Sequence, residues 1–429
     1  MNNLERFTTV AECEAYLFRL RSGGKRAEPL AVMHALLEAF GNPQQRVPFI
    51  HVAGTNGKGS TVNFMRELLM EAGVRVGAFT SPHLQKMNER LTIDGTDISD
   101  ELLIKYVNDV ADVIEREQLE ANFFEIMTVL AWRYFAEQHV DIALMEVGIG
   151  GRIDSTNVAT PLVSVITSIG FDHTDLLGDT LQHITREKAG VIKPHVPVVT
   201  AVTQAEGNEL IAHIAAEQRA PHYAYGEQFM FVEEHVDAQQ QIGRITCSGR
   251  DVRVKLNMLG AHQQRNASVA VQAVLLLSNV TLTDAQVEAA LTRAVWAGRF
   301  EQLLPNVFID GAHNEQGTAA LIHTLTHALP NKAYHFIYAA MRDKDHAASI
   351  AQMDKIAHTV AFTTLPMPRA AAAEALAQQS THAKKQAISD WRTYIREHLA
   401  TRTEDDVLIV TGSLYFISEA RPFIQQLGE

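Results

Sequence analysis

The chain has 429 residues, 46% of them hydrophobic and 20% charged, with a formal net charge of −13. That length supports two or more domains with well-filled cores, and the acidic balance argues against nucleic acid or an anionic membrane as the main partner. Only two cysteines occur, Cys13 and Cys247, far apart and without metal-binding spacing, which fits a reducing, cytoplasmic setting. The start MNNLERFTTV has no basic segment leading into an apolar one, and no run approaches the roughly 18 apolar residues of a membrane span.

In chain order, periodicity predicts helices at Ala11–Leu20 and Leu30–Phe40, joined by a basic loop containing Arg21, Lys25 and Arg26 that reads as solvated. A short apolar strand around Phe49 runs into Gly54-Thr55-Asn56-Gly57-Lys58-Gly59-Ser60, and an amphipathic helix follows. A strand at Val74–Phe79 ends in Thr80-Ser81-Pro82-His83-Leu84, and Leu91–Gly95 reads as a hairpin edge. Helices are expected near Asp100–Glu117 and Phe123–Gln138. The apolar strand Asp141–Met145 then ends in Glu146-Val147-Gly148-Ile149-Gly150-Gly151-Arg152, and Leu162–Ile166 ends in Thr167 to His173. A helix through Lys188 and a strand at Val196–Val202 continue the alternation.

Alternating strands and helices imply a doubly wound, mostly parallel sheet, and ligands of such sheets collect at the carboxyl ends of the strands. From Tyr225 to Met258 short alternating segments suggest a small antiparallel appendage, followed by helices near His262–Ser278 and Thr283–Val295. A second, smaller α/β domain begins near Trp296–Arg299; its strands lie at Val307–Ile309, Ala333–Ala339, Val360–Thr364 and Val407–Val410. The expected division is residues 1–296 and 297–429.

Strand, glycine loop, lysine, hydroxyl and helix in that order suit a nucleotide polyphosphate. Backbone N–H groups and the helix N-terminus face the anion, and Lys58 reaches the outer phosphates. The spacing departs from the usual Walker pattern, with Val52 in place of a glycine and Gly59 inserted before the hydroxyl. A triphosphate implies Mg²⁺, which takes oxygen ligands. Ser60 or Ser81 with Glu146 could supply them, and His173 is a less typical candidate. A carboxylate directly after a buried strand, as at Glu146, needs a cationic partner. Arg299 and Asp310 can serve phosphate and ribose or form an ion pair at the domain start; with the first domain's loop they suggest a nucleotide clamped between domains. On spacing alone Lys188 is a solvated helix lysine.

The segments HVAGTNGKGS, TSPHL, NER, EVGIGGRIDSTN, DHTDLLGDT, REKAGVIKP, DGAHN, DKD and TGSLY, in this order along the chain, resemble those of the folylpolyglutamate synthase family, whose bacterial members often also act as dihydrofolate synthases and which is related to the Mur ligases. The resemblance implies ATP-dependent addition of L-glutamate to the terminal carboxylate of a reduced folate through an acyl phosphate. It implies that Asn56, Gly57, Lys58, Gly59, Ser60, Asn266, Arg299 and Asp310 serve ATP, with Lys58, Lys188 and His173 at the reaction centre. Ser81, Glu146 and His173 would hold Mg²⁺, with a monovalent cation as a further cofactor, and Lys188 would be carbamylated. Arg90, His313 and Ser413 fall near the incoming glutamate, and Phe124, Asp154 and Ser155 near the pterin. A monomer with small-molecule substrates only is expected.

Three departures stand out. The loop Arg26–Leu30 differs from the segment with which bifunctional members bind dihydropteroate, Glu315 stands where a proline is usual, and Arg342 where a lysine is usual. The first favours folylpolyglutamate synthase activity alone, with the bifunctional enzyme as the alternative. A Mur-type peptide ligase or an ATP-driven switch are the rival classes, and TSPHL, REKAG and TGSLY argue against the former.

Overall fold

The computed structural model describes residues 7–20, 26–342 and 346–428. Arg21, Lys25 and the DKD segment therefore lie outside the described residues. In order the elements are α1 (Val10–Arg19), α2 (Ala31–Ala39), β1 (Phe49–Ala53), α3 (Lys58–Glu71), β2 (Val76–Phe79), β3 (Leu91–Ile93), β4 (Thr96–Asp97), α4 (Asp100–Glu117), α5 (Phe123–Glu137), β5 (Ile142–Glu146), β6 (Val163–Ile166), α6 (Thr174–Leu177), α7 (Leu181–Ala189), β7 (Val198–Thr200), α8 (Ala205–Glu217) and β8 (His222–Ala224). They build an eight-stranded sheet in the order β4-β3-β2-β5-β1-β6-β7-β8, antiparallel only at the β4 and β3 edge.

Next come β9 (Phe229–Val236), β10 (Gln241–Cys247) and β11 (Arg250–Leu256), which form a three-stranded sheet of their own, then α9 (Ala261–Leu275) and α10 (Asp284–Arg293). The remaining elements are β12 (Glu301–Leu304), β13 (Val307–Ile309), α11 (Glu315–Ala328), β14 (Ala333–Tyr338), α12 (Ala347–Asp354), β15 (Ala357–Thr363), α13 (Ala373–Gln379), β16 (Lys385–Ile388), α14 (Trp391–Thr401), β17 (Asp406–Thr411) and α15 (Leu414–Gln426). Their strands make a six-stranded sheet in the order β12-β13-β17-β14-β15-β16, parallel apart from the β12 edge. By compactness the chain falls into two units: residues 1–231, 245–252 and 265–291, and residues 232–244, 253–264 and 292–429.

Every residue of β1, β2, β5 and β6 is buried, which is why these strands read as mainly apolar runs, broken by His51, Ser164 and the terminal Glu146: a parallel sheet is covered on both faces. Helix starts follow side-chain chemistry. Thr9 with Glu12 and Asn122 with Glu125 form capping boxes at α1 and α5, satisfying N–H groups that have no intrahelical acceptor. Strands β8, β12 and β16 are absent from the periodic reading. They are short edge or near-edge segments with mixed burial, so they lack an apolar signature. No described helix is long and apolar enough to cross a membrane.

The core of the first unit joins α1, α2, α4 and α5 to the sheet through Phe49, Phe79, Tyr106, Trp132 and Phe135. Trp132 is fully buried and meets Phe49 edge-on, ring centroids 5.0 Å apart at 85°. Trp132→Ala should cost about 3–5 kcal/mol of stability, read from urea unfolding; a loss below about 1 kcal/mol would mean that α5 is not packed on β1.

Candidate active site

Register brings four strand ends to one level. Val52 of β1 lies beside Glu146 of β5, Ala53 beside Ile166 of β6, and Phe79 of β2 beside Met145. The segments that follow these strands carry the phosphate loop, Ser81, Glu146 and Thr167 to His173, so the parallel sheet lines up what the sequence separates by more than a hundred positions.

The phosphate loop is braced from the β6 side. Thr55 donates its N–H to the Ser168 carbonyl (2.9 Å), and Asn56 donates its N–H to Ser168 Oγ (2.9 Å). The hydroxyls of Thr167 and Ser168 donate to the Asn56 carbonyl at 2.6 and 2.9 Å. Lys58 Nζ donates to the Gly54 and Thr55 carbonyls (3.1 and 3.4 Å) and is half-buried. Gly57 starts α3 in a left-handed conformation (φ 88°) and brings no side chain to cap the helix, so the N-terminal turn and its partial positive charge are presented to whatever the loop encloses. A β-carbon at Gly57 would stand 2.6 Å from Asn266 Oδ1; Asn266 of α9, 5% exposed, thus lies directly over the loop. Ser60 is buried in the first turn and Gly59 half-buried.

Glu146 is 3% exposed and its Oε2 accepts the Ser81 N–H at 3.0 Å. The pair meets the hard-oxygen chemistry of Mg²⁺. His173 begins α6 with φ 51°, its side chain 42% exposed and its Nε2 4.0 Å from Asp172 Oδ1. Among the described residues no three His, Cys, Asp or Glu side chains form a metal-binding group.

The structure overturns the reading of Lys188 as solvated. It is 4% exposed in α7, and burial, reinforced by the Lys58 ammonium, lowers its pKa from 10.5 to about 7, against a smaller pull from Asp172 and Asp154. The end of α7 is held by the segment after β5. Arg152 donates its N–H to the Glu187 carbonyl (2.8 Å), and Asn157 Nδ2 donates to the Gly190 carbonyl (3.1 Å).

Phe124 and Asp154 are brought together. The Phe124 ring covers Gly148, where a β-carbon would lie 2.6 Å from Cζ, and Asp154 Oδ2 accepts the N–H groups of Gly148 and Ile149 at 3.0 Å. Burial raises the Asp154 pKa, countered by Thr156 and these N–H groups. Asp154 is therefore the internal brace of its loop, while neighbouring Ser155 is half-buried. Arg90, 7% exposed, donates from Nε to His83 Nδ1 (2.9 Å) and sits 5.0 Å from the Phe123 ring centre. Burial and the Arg90 charge lower the His83 pKa to about 4, so His83 is the neutral acceptor that orients Arg90. That role escaped the sequence reading, as did Glu89, whose carboxylate accepts the N–H groups of Leu84, Gln85 and Lys86. Arg26 is not solvated either: it pairs with Glu125 and donates to the Glu120 carbonyl.

In the second unit Arg299, Asp310, His313 and Ser413 gather at the ends of adjacent parallel strands β13 and β17. Asp310 Oδ2 accepts the Phe300 N–H and Oδ1 the Ala312 N–H, both at 2.8 Å. Burial raises its pKa and the Arg299 charge opposes the rise. Arg299 Nη1 lies where a β-carbon on Gly311 would stand 2.5 Å away. His313 Nδ1 is 2.7 Å from the Gly311 carbonyl, and Ser413 caps α15 by accepting the Phe416 N–H (3.1 Å).

Residues 52–274 match the Mur ligase middle domain and residues 298–414 the Mur ligase, glutamate ligase domain. A dihydrofolate synthase/folylpolyglutamate synthase of Bacillus subtilis is 38% identical over 427 residues, covering 97% of this chain and 99% of the relative. The chain belongs to the folylpolyglutamate synthase family of Mur ligases. A folylpolyglutamate synthase of Lacticaseibacillus casei is 35% identical, covering 94% of this chain and 95% of its own length. The solved folylpolyglutamate synthase of Mycobacterium tuberculosis complexed with ADP and AMPPCP superposes with a TM-score of 0.88 at 28% identity, over 97% of this chain and 98% of that one.

For this synthase family member, Gly57→Ala adds left-handed strain and a clash with Asn266 at once. With each 1.4 kcal/mol worth tenfold, ADP affinity measured by calorimetry should fall by about tenfold or more in a folded variant. Unchanged affinity would show that the loop does not enclose the phosphates.

Proposed function

We propose that this chain is an ATP-dependent ligase that adds L-glutamate to the terminal carboxylate of a reduced folate. The observation that carries this reading is that the braced loop with Lys58 and the Ser81–Glu146 contact follow neighbouring strand ends of one parallel sheet, with the buried Lys188 close enough to Lys58 to feel its charge. A folate carboxylate oxygen attacks the γ-phosphorus of ATP, forming an acyl phosphate and releasing ADP. The glutamate amine then attacks the carbonyl carbon, forming the amide and releasing phosphate and a proton.

Asn56, Gly57, Gly59 and Ser60 cradle the phosphates, Lys58 neutralises the transferring group, and Asn266 closes over the loop; positioning and charge stabilisation supply most of such catalysis. Ser81, Glu146 and His173 would hold Mg²⁺, which when bound offsets phosphate charge. Arg299 and Asp310 serve the nucleotide. Arg90, His313 and Ser413 serve the incoming glutamate, and Phe124, Asp154 and Ser155 the pterin. Residues 1–296 are the activating part and 297–429 the glutamate-adding part. Addition of glutamate to dihydropteroate is the second reading, favoured by the bifunctional name of the Bacillus subtilis relative and opposed by the changed Arg26–Leu30 loop.

Lys188 is carbamylated in this reading. Its neutral amine adds CO₂, forming an N–C bond and releasing one proton, and the resulting anion replaces repulsion of Lys58 with attraction. The sign follows from the lowered pKa: above about 7 the amine is free to react, and below it the ammonium form wins and the carbamate is lost. In ¹³C-bicarbonate, a carbamate signal absent from Lys188→Ala should appear and then fade as pH drops through about 7. Lys188→Ala should lose at least about a hundredfold in kcat, with partial rescue by short carboxylates; a fully active variant disproves the role.

The deciding assay supplies ATP, Mg²⁺ and L-glutamate with either a reduced folate or dihydropteroate and weighs the product. One glutamate gained on folate alone establishes the synthase, a gain on both establishes the bifunctional enzyme, and no product on either rejects the proposal.

A further inference from the structure

His51 lies in the middle of β1, three residues before the phosphate loop, and is fully buried. Its Nε2 is 2.8 Å from Thr156 Oγ1, and Thr156 Oγ1 is 2.5 Å from Asp154 Oδ1. Asp154 also accepts three backbone N–H groups, from Gly148 and Ile149 on Oδ2 and from Thr156 on Oδ1, each at 3.0 Å. Three N–H donors favour the carboxylate form against the burial that raises its pKa, and with both oxygens already accepting, the Thr156 hydroxyl donates to Oδ1 and accepts from His51. That direction makes Nε2 the protonated nitrogen.

The other ring nitrogen supports the same direction. His51 Nδ1 is buried and has no hydrogen-bond partner among the described residues. Were the chain reversed, Nδ1 would bear an unmet buried N–H, which is rarer and costlier than an unmet lone pair. Burial, with the nearby Lys193 charge, also holds the imidazole neutral, its pKa lowered to about 3.

We infer that His51 is a positioning residue for the folate. As an Nε2–H imidazole it anchors, through Thr156, the Asp154 carboxylate that shapes the segment Gly148–Asn157 beneath Phe124, and so ties that segment to the strand bearing the phosphate loop. The substrate named here rests on the proposed function; the hydrogen-bond direction does not. Gln can donate from a nitrogen placed like Nε2, whereas Leu fills the space without a donor.

The test compares His51→Leu, His51→Gln and Thr156→Val, with His51→Leu/Thr156→Val as the double variant, each verified as folded by thermal melting. His51→Leu should raise KM for reduced folate about tenfold while KM for ATP moves less than twofold, and His51→Gln should recover most of the loss. The double variant should be no worse than the poorer single one. In ¹⁵N-histidine NMR, wild-type His51 should show protonated Nε2 and bare Nδ1, unchanged from pH 6 to 9. An unmoved folate KM in His51→Leu, no rescue by Gln, or protonated Nδ1 would overturn the inference. A wild type inactive on folate would instead reject the proposed function, leaving the NMR result to decide the hydrogen-bond direction.

Discussion

Desolvation of one amine governs this site. Lys188 is removed from water within reach of the Lys58 charge, and two cations in a low-dielectric setting cannot both stay charged at little cost. The surrounding structure accommodates this by making Lys188 easy to neutralise. It also ties down the end of α7 through Arg152 and Asn157. A buried amine that gives up its proton readily is a nucleophile, which a solvated helix lysine is not.

The carboxylates and hydroxyls around it act mostly through the backbone. Asp154, Asp310, Glu89 and Ser413 each accept N–H groups from the loop or helix they belong to or adjoin. Side-chain acceptors of this kind stiffen loops that carry no regular hydrogen-bond ladder. Within each unit a parallel sheet then aligns its own stiffened loops at the carboxyl ends of its strands. The result is a preorganised cradle whose phosphate loop is braced by Thr167 and Ser168, so little reorganisation is left for the moment of reaction.

Much of the fold was legible in the amino-acid order. The 3.6-residue period of α4 appears within a single segment, and buried parallel strands such as β1 and β5 announce themselves as apolar runs. Segments such as β12 and β16, with exposed residues and no clear period, did not. For the site, the phosphate loop, Glu146 and the residues after each strand were visible because glycine turns and strand ends are local features.

What the sequence by itself determined is therefore the class of fold, the order of its strands and loops, and a glycine turn between β1 and α3. Only tertiary structure decided how ionisable groups behave. Arg26 found Glu125 at a separation of 99 residues, and His51 found Thr156 at 105. Lys188, a solvated helix lysine by spacing, became a buried amine. Protonation and hydrogen-bond partners depend on which distant groups exclude water from a side chain, and no local pattern records that.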